Sequence, residues 1–459
     1  MASKSKRIAA LVLTAMMATA ALAGCSGGEE EEAPIPAPTT TSNSGSQSQK
    51  VDLSDPETVQ FIKDTMAEEA AKNGGKIELK MWCASDDQNF EKTLIDDFKK
   101  DFEDSRYKIT VKTLVKGESE AGGAVVEAPK KAADVFSFAD DQLSTLLKAG
   151  AIAEVAPYYA NNVKDENSAD SISVSTSNSK LYAFPKTSDN GYFMYYDKRV
   201  FSDADVADMD TMIKKAADAG KNVYFNMGNA WYETGFFFTA GCTIKYENGV
   251  QTATLGTPEG LSAAKAMAHI AENEGKGFSG SPGQIGDNAY VAQGFDDGTL
   301  AAAVIGTWMG PTIKKSIGDA NVGAAKLPTV LMDGEQKQLH SFGGYKLLGV
   351  NVFSEYPFSA QTLAYFLGSE ANQIKRYETR GLIPTNAVAA AKDSIKDDPA
   401  FKAIEDQKAY AHPQGSSVGG VYWSSGVASI GGDLVNAKGN ISDSELQTKL
   451  AAVEANMKV

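Results

Sequence analysis

Apolar positions recur along this chain at two alternating periods. Behind Pro56, the residues Val59, Phe61, Ile62 and Met66 stand at helical spacing. They predict a helix over Asp52–Lys72, ended by Asn73-Gly74-Gly75. Ile77–Trp82 alternates apolar and polar, predicting a short strand, and Ser85-Asp86-Asp87-Gln88-Asn89 reads as a polar loop. Phe90, Leu94, Ile95, Phe98 and Phe102 then repeat at three and four, which is an amphipathic helix, before Tyr107–Val115 alternates again. Strand, helix and strand of these lengths make a βαβ unit, so the fold class is α/β. Asp134–Phe138 adds a strand and Asp141–Ala149 a helix ended by Gly150. Further along, Ala204–Ala219, Trp231–Ala240 and Pro258–Asn273 read as helices, with Asn222–Met227 and Leu300–Ile305 as strands. Gln338–Phe342 and Tyr345–Val350 read as a strand pair around Gly343-Gly344, followed by a helix over Ala360–Arg376. The chain closes on Val421–Ala437 and a last amphipathic helix, Ser442–Met457, with no solenoid repeat.

The stretch Lys180–Asp197, KLYAFPKTSDNGYFMYYD, breaks this rhythm. A strand-like run (Leu181–Phe184) meets Pro185, then a polar interruption, then a second run rich in β-formers (Tyr192–Tyr196). Proline donates no ladder hydrogen bond, which argues against one continuous central strand. An ordinary strand-loop-strand and a passage from one domain to another both fit these residues.

The N-terminus carries Lys4, Lys6 and Arg7, then an apolar run Ile8–Ala23 too short for a comfortable membrane span; this is the pattern of a secretory signal peptide. It ends in Leu22-Ala23-Gly24-Cys25, which resembles the lipobox of bacterial lipoproteins. That resemblance implies cleavage before Cys25 and lipid on its thiol. Ser26–Gln49, with Glu29–Glu32 and Pro34, Pro36 and Pro38, lacks the apolar residues that offset ordering entropy and reads as an extended tether. No later segment approaches the roughly 18 apolar residues of a spanning helix.

The remaining 409-residue-scale body, Val51–Val459, is long enough for two or three domains, and 42% hydrophobic with 9% aromatic residues is ordinary for a packed globular protein. The formal charge of −15 grows more negative once Lys4, Lys6 and Arg7 leave with the leader. So acidic a surface argues against nucleic acid or anionic membrane as ligand. Besides Cys25 only Cys83 and Cys242 remain, too few for a disulfide framework; buried free thiols are the favoured reading, with a bond left open. His269, His340 and His412 are scattered with no metal-ligand spacing, so no zinc site is expected. No phosphate-loop or dinucleotide fingerprint is found, and no cofactor is expected.

Taken in order, IELKMW (Ile77–Trp82), DVFSFADDQLSTLLKAGAIAEVAP (Asp134–Pro157), Lys180–Phe201, Phe225–Gly249, FDDGTLAAAVIGTWMGPTI (Phe295–Ile313) and the Leu327-Pro328-Thr329 turn resemble the solute-binding proteins of carbohydrate ABC importers, the maltose/maltodextrin-binding group. The resemblance spans Ile77–Met457 and rests on the order and spacing of these stretches. It implies a two-lobed, periplasmic-binding-protein-like α/β fold with an interlobe hinge and a ligand cleft at the carboxyl ends of strands. Residues 51–187 and 333–388 would form the N-terminal lobe; 188–332 and 389–459 would form the C-terminal lobe, after a leader over 1–24 and a tether over 25–50. The crossings would lie near Lys186–Asn190, Thr329–Asp333 and Thr385–Ala390. Implied further are a monomer anchored to the membrane at the cell surface, an oligosaccharide ligand such as a maltodextrin, and an ABC permease as partner.

A sugar offers flat C–H patches and a rim of hydroxyls, to be met by aromatic faces and by carboxylate or amide groups. The resemblance nominates Asp86, Asp87, Asp141 and Asp189, with Trp231, Trp308 and Trp423 ahead of Tyr232, Tyr345 and Tyr422. Each has a plainer reading. The tryptophans suit a core, Asp86-Asp87 and Asp140-Asp141 suit helix caps, and Asp189 suits a turn. Asp296-Asp297-Gly298 reads only as a turn. Paired aspartates are also what a glycosidase uses, but the resembling family is not hydrolytic. Gly415-Ser416-Ser417-Val418-Gly419 matches the nucleophile-elbow pattern in letters; it follows His412-Pro413 rather than a strand, and no histidine follows Ser417. No catalytic residue is assigned.

Overall fold

A computed structural model of the chain describes residues 50–458 apart from position 248. The leader, Cys25 and almost all of the tether lie outside the described residues. The chain divides into two compact units: the first runs to Lys186 and adds Lys346–Gln373 and Thr385–Ala387, and the second comprises Thr187–Tyr345, Ile374–Pro384 and Val388–Val459.

Each unit is built on one five-stranded sheet. In chain order their strands are β1 (Lys76–Cys83), β2 (Lys108–Val115), β3 (Val135–Ala139), β4 (Ala183–Thr187), β5 (Phe193–Asp197), β6 (Asn222–Tyr224), β7 (Phe278–Ser279), β8 (Leu300–Ile305), β9 (Val322–Ala325) and β10 (Lys346–Val350). The first sheet has the order β2-β1-β3-β10-β4. Its β1 and β2 are parallel in the register Leu79↔Val111, with the Gln88–Phe102 helix as their connection. β10 runs antiparallel to β3, pairing Leu347 with Phe138. The second sheet has the order β7-β6-β8-β5-β9, with β5 antiparallel to β8 through Tyr195↔Ala303. β3, β5 and β8 are buried at every position, as expected of strands covered on both faces.

Pro185 does lie inside a strand. β4 is an edge strand, where a residue without an N–H leaves no ladder bond unmade. Three other expectations are corrected. Gly343-Gly344 does not join a strand pair: Ser341–Gly343 pairs parallel with Ala411–Pro413 in the second unit, whereas β10 belongs to the first sheet. The chain therefore changes unit at Tyr345/Lys346 rather than near Thr329–Asp333. That earlier segment is a hairpin, Thr329–Met332 against Glu335–Gln338. Asp333 and Gly334 at its tip have φ of 55° and 82°, the left-handed pair that a two-residue hairpin turn requires. The helix expected over Ala360–Arg376 is two helices, Pro357–Leu367 and Glu370–Arg380, parted at the poor helix former Gly368.

The helix preceding β1 (Pro56–Ala71) is built into the first unit. Asp55 caps it by accepting from Thr58 N at 2.8 Å, and Ile62 and Met66 enter the core beside Phe98 and Leu363. At its far end the buried Glu69 carboxylate accepts from Phe358 N at 2.9 Å, Ser359 N at 3.0 Å and the Ser359 hydroxyl, covering the open N-terminus of the Pro357–Leu367 helix. Asn162 holds both backbone groups of Val51, at 3.1 and 2.9 Å. Replacing Glu69 by Ala strands those helix donors and should destabilise the chain by about 1–3 kcal/mol in urea unfolding; an unchanged midpoint would show that solvent serves the donors equally well.

Candidate functional site

In the second unit two indoles stand 6.1 Å apart with their planes 36° apart: Trp231 and Trp308, both half-buried. Each sits just beyond the carboxyl end of a sheet strand, where α/β folds collect ligands. Trp231 opens the Ala230–Ala240 helix, whose cap Asn229 accepts from Trp231 N at 3.0 Å. Its indole N–H donates to Gln414 Oε1 at 2.9 Å, and Asn190 Nδ2 donates to the same oxygen at 3.4 Å. Tyr192 packs edge-on to the ring at 4.8 Å and donates to the carbonyls of Trp231 and Tyr232. Trp308 follows β8, and its N–H donates to Asn288 Oδ1 at 2.9 Å. Its ring lies directly over Gly306, where a Cβ would fall 1.9 Å from the nearest indole carbon. Both aromatic planes are thus fixed by a polar tether on the nitrogen and by packing beneath.

Trp423 is also half-buried, on the short Gly420–Ser424 helix, 5.8 Å from Phe342 and 5.4 Å from Tyr422. Tyr422 itself is wholly enclosed, its hydroxyl 2.7 Å from Thr234 Oγ1, and Tyr232 is buried in the same core. Burial pushes both phenols far above their ordinary range. Tyr345 is half-buried at the last position before the chain changes unit. Asp189 is 0% exposed; it accepts from the Thr307 hydroxyl and, at 3.4 Å, from Ile383 N.

In the first unit Asp87 is buried and Asp86 exposed. Asp87 does not cap its helix through the side chain, and the cap position before the Asp140–Gln142 turn is Ala139. Asp87 faces Lys186 instead, whose ammonium is fully enclosed at 3.4 Å from Asp87, 3.2 Å from Glu91, 3.7 Å from Glu118 and 3.1 Å from Ser137 Oγ. A buried ammonium is tolerable because carboxylates and a hydroxyl replace its water. Beside it, burial first and the Glu91 charge second push the Cys83 thiol up to about 12. Asp141 is half-buried after β3. Cys242 is a buried free thiol like Cys83, likewise raised to about 12 by burial.

Sequence reasoning passed over Gln414, Asn190 and Asn288, isolated carboxamides with no periodic or motif signal, and Asp287, which accepts from Asn226 Nδ2 at 2.9 Å. It also took the histidines as scattered, whereas His340 Nδ1 and His412 Nε2 lie 2.9 Å apart, with His412 stacked on Phe238 at 3.8 Å. Among the described residues no group of three metal-ligating side chains forms. Ser417 donates to the Pro413 carbonyl at 2.7 Å, a local helix bond rather than a nucleophile's setting. What the second unit presents is a pair of rigid aromatic faces bordered by amides and hydroxyls. Such a surface can stack on the C–H face of a ring and hydrogen-bond its rim.

Two outcomes follow from this geometry. Gly306→Ala must displace the Trp308 indole, so the tryptophan emission of the ligand-free protein should shift; an unaltered spectrum would mean the ring is not held there. Burial, and for His412 the neighbouring His340, lower both imidazoles, His412 from 6.5 to about 4. The unfolded chain then binds protons that the folded chain refuses, so this contribution to stability is whole above pH 6.5 and drains away toward pH 4. In His412→Gln the fall of Tm across that window should be shallower than in the parent chain; parallel curves would exclude the pair as its source.

Residues 93–403 match the family of bacterial extracellular solute-binding proteins. A Galactooligosaccharide-binding protein of Bacillus subtilis (strain 168) is 25% identical over 360 residues, 75% of this chain and 81% of that one. A solved structure described as a complex with acarbose shares 30% identity over 84% of this chain and 99% of its own, at a TM-score of 0.73. The maltodextrin-binding protein MalE1 from L. casei BL23, solved without ligand, shares 25% over 84% and 99%, at 0.66. The two unit sheets and a family match over most of the chain lead to one assignment: the chain belongs to the bacterial extracellular solute-binding proteins, and it binds a solute rather than transforming one.

Proposed function

We propose that this exported protein is a lipid-anchored receptor that captures an oligosaccharide, best of all an α-glucoside such as maltose or a maltodextrin, and delivers it to an ABC permease. The observation that carries the reading is the Trp231–Trp308 pair, whose ring nitrogens are held by Gln414 and Asn288. Two fixed indole faces suit successive pyranose rings better than a single small polar solute. The acarbose complex and the maltodextrin-binding relative support an α-glucosidic ligand. The name of the Bacillus relative favours a second reading, a galactooligosaccharide held on the same platform. Cys25 would carry the lipid, and the tether would hold the body clear of the membrane.

Calorimetric titration separates these readings. The panel is maltose, maltotriose, longer maltodextrins, galactooligosaccharides, and cello- and xylo-oligosaccharides, with product analysis after overnight incubation. Tight binding of maltodextrins with the sugar left intact is the expected result; preference for the galactosides would select the second reading, and cleavage would overturn a receptor role. Trp308→Ala or Trp423→Ala should weaken binding by roughly 1–3 kcal/mol, the scale of one buried aromatic contact. Wild-type affinity in both variants would remove these rings from the site.

A further inference from the structure

Asp189 stands among the residues that the family resemblance offers as sugar contacts, yet it is 0% exposed. Its Oδ2 accepts from the hydroxyl of Thr307, itself 1% exposed, and from Ile383 N at 3.4 Å. Thr307 is the residue immediately before Trp308. The neighbours of Asp189 are tied into the same place. Ser188 N donates to Ile383 O at 2.9 Å, its hydroxyl donates to Pro384 O at 3.2 Å, and Asn190 N donates to Gly344 O at 3.2 Å. Three stretches of the second unit, distant in sequence, are therefore laced together: 188–190, 344 and 383–384. Asn190 reaches the platform from the same turn, through Gln414 and so Trp231.

We propose that Asp189 is a positioning residue: it acts through Thr307 to set the Trp308 face and does not touch the sugar. The inference rests on the reading of Trp308 as a sugar platform. A carboxylate that accepts a hydroxyl inside the protein makes a strong, charge-assisted bond, and the donor here is the side chain of Thr307, whose backbone leads directly into Trp308. Removing the hydroxyl leaves a buried carboxylate with one donor fewer, which the local backbone must move to relieve.

The test uses the full chain, isotope-labelled on nitrogen. Its four tryptophans give separate indole N–H resonances, and Trp308→Phe identifies that of Trp308. Thr307→Val should move the Trp308 resonance in the ligand-free protein, and Thr307→Ser should restore it. Against the best-bound sugar of the panel, Asp189→Ala and Thr307→Val should each weaken binding about 10-fold, and the double variant no further than either alone. If Asp189→Ala does not fold, Asp189→Asn takes its place in the cycle. An unmoved Trp308 resonance in Thr307→Val overturns the proposal, as does an additive cycle, which would make Asp189 a direct ligand of the sugar. Should the parent chain bind no oligosaccharide, the sugar reading fails by itself, and the indole resonance still decides whether Asp189 and Thr307 set the Trp308 face.

Discussion

The pairing of β10 with β3 is the constraint from which the rest follows. The first sheet takes Val350 as partner for Val135 and Leu347 for Phe138, so it is completed only by residues more than two hundred positions downstream. Between those strands the chain must leave, build a second sheet around β5 and β8, and return. Fixing so distant a pairing costs loop entropy before it yields any contact, and it makes the passages between units few and defined. The turn at 188–190 follows one such passage, Lys186/Thr187, and its hydrogen bonds to Ile383, Pro384 and Gly344 gather separated segments of the second unit at one place. Trp308 is attached to that same place through Thr307.

Charge is handled differently in the two units. The first encloses Lys186 among Asp87, Glu91 and Glu118, an arrangement in which the ammonium is outnumbered by carboxylates. Removing Lys186 would leave the three carboxylates without compensation, so the value of the cluster lies in fixing geometry rather than in net stabilisation. In the second unit amides accept from the indole nitrogens, two imidazoles meet at 2.9 Å and Tyr422 meets Thr234, while the buried Asp189 accepts from Thr307.

Local periodicity was legible wherever a single element decided it. The Gln88–Phe102 and Ala230–Ala240 helices and the β1 and β8 strands follow directly from the spacing of Phe90, Leu94, Phe98, Trp231 and Leu300. What escaped was set by partners far away in the chain. Gly343-Gly344 looks like a turn, but the strands beside it pair with Ala411–Pro413 and with β3. Asp333-Gly334 carried a hairpin signature that the proposed crossing obscured. Trp231, Trp308 and Trp423 could be nominated by type and place in the resembling pattern. Their angles, their amide tethers, and the meeting of His340 with His412 across 72 positions depend on the assembled core.

The two buried thiols have a chemical consequence for a protein that leaves the cell. Oxidants and disulfides react with the thiolate, and burial pushes both Cys83 and Cys242 up to about 12, far from ionising at neutral pH. Both side chains are also closed to solvent. The body can therefore persist in an oxidising exterior with its sulfur reduced, by inertness rather than by cross-linking, and its folding after export calls for no oxidase or isomerase to select a bond.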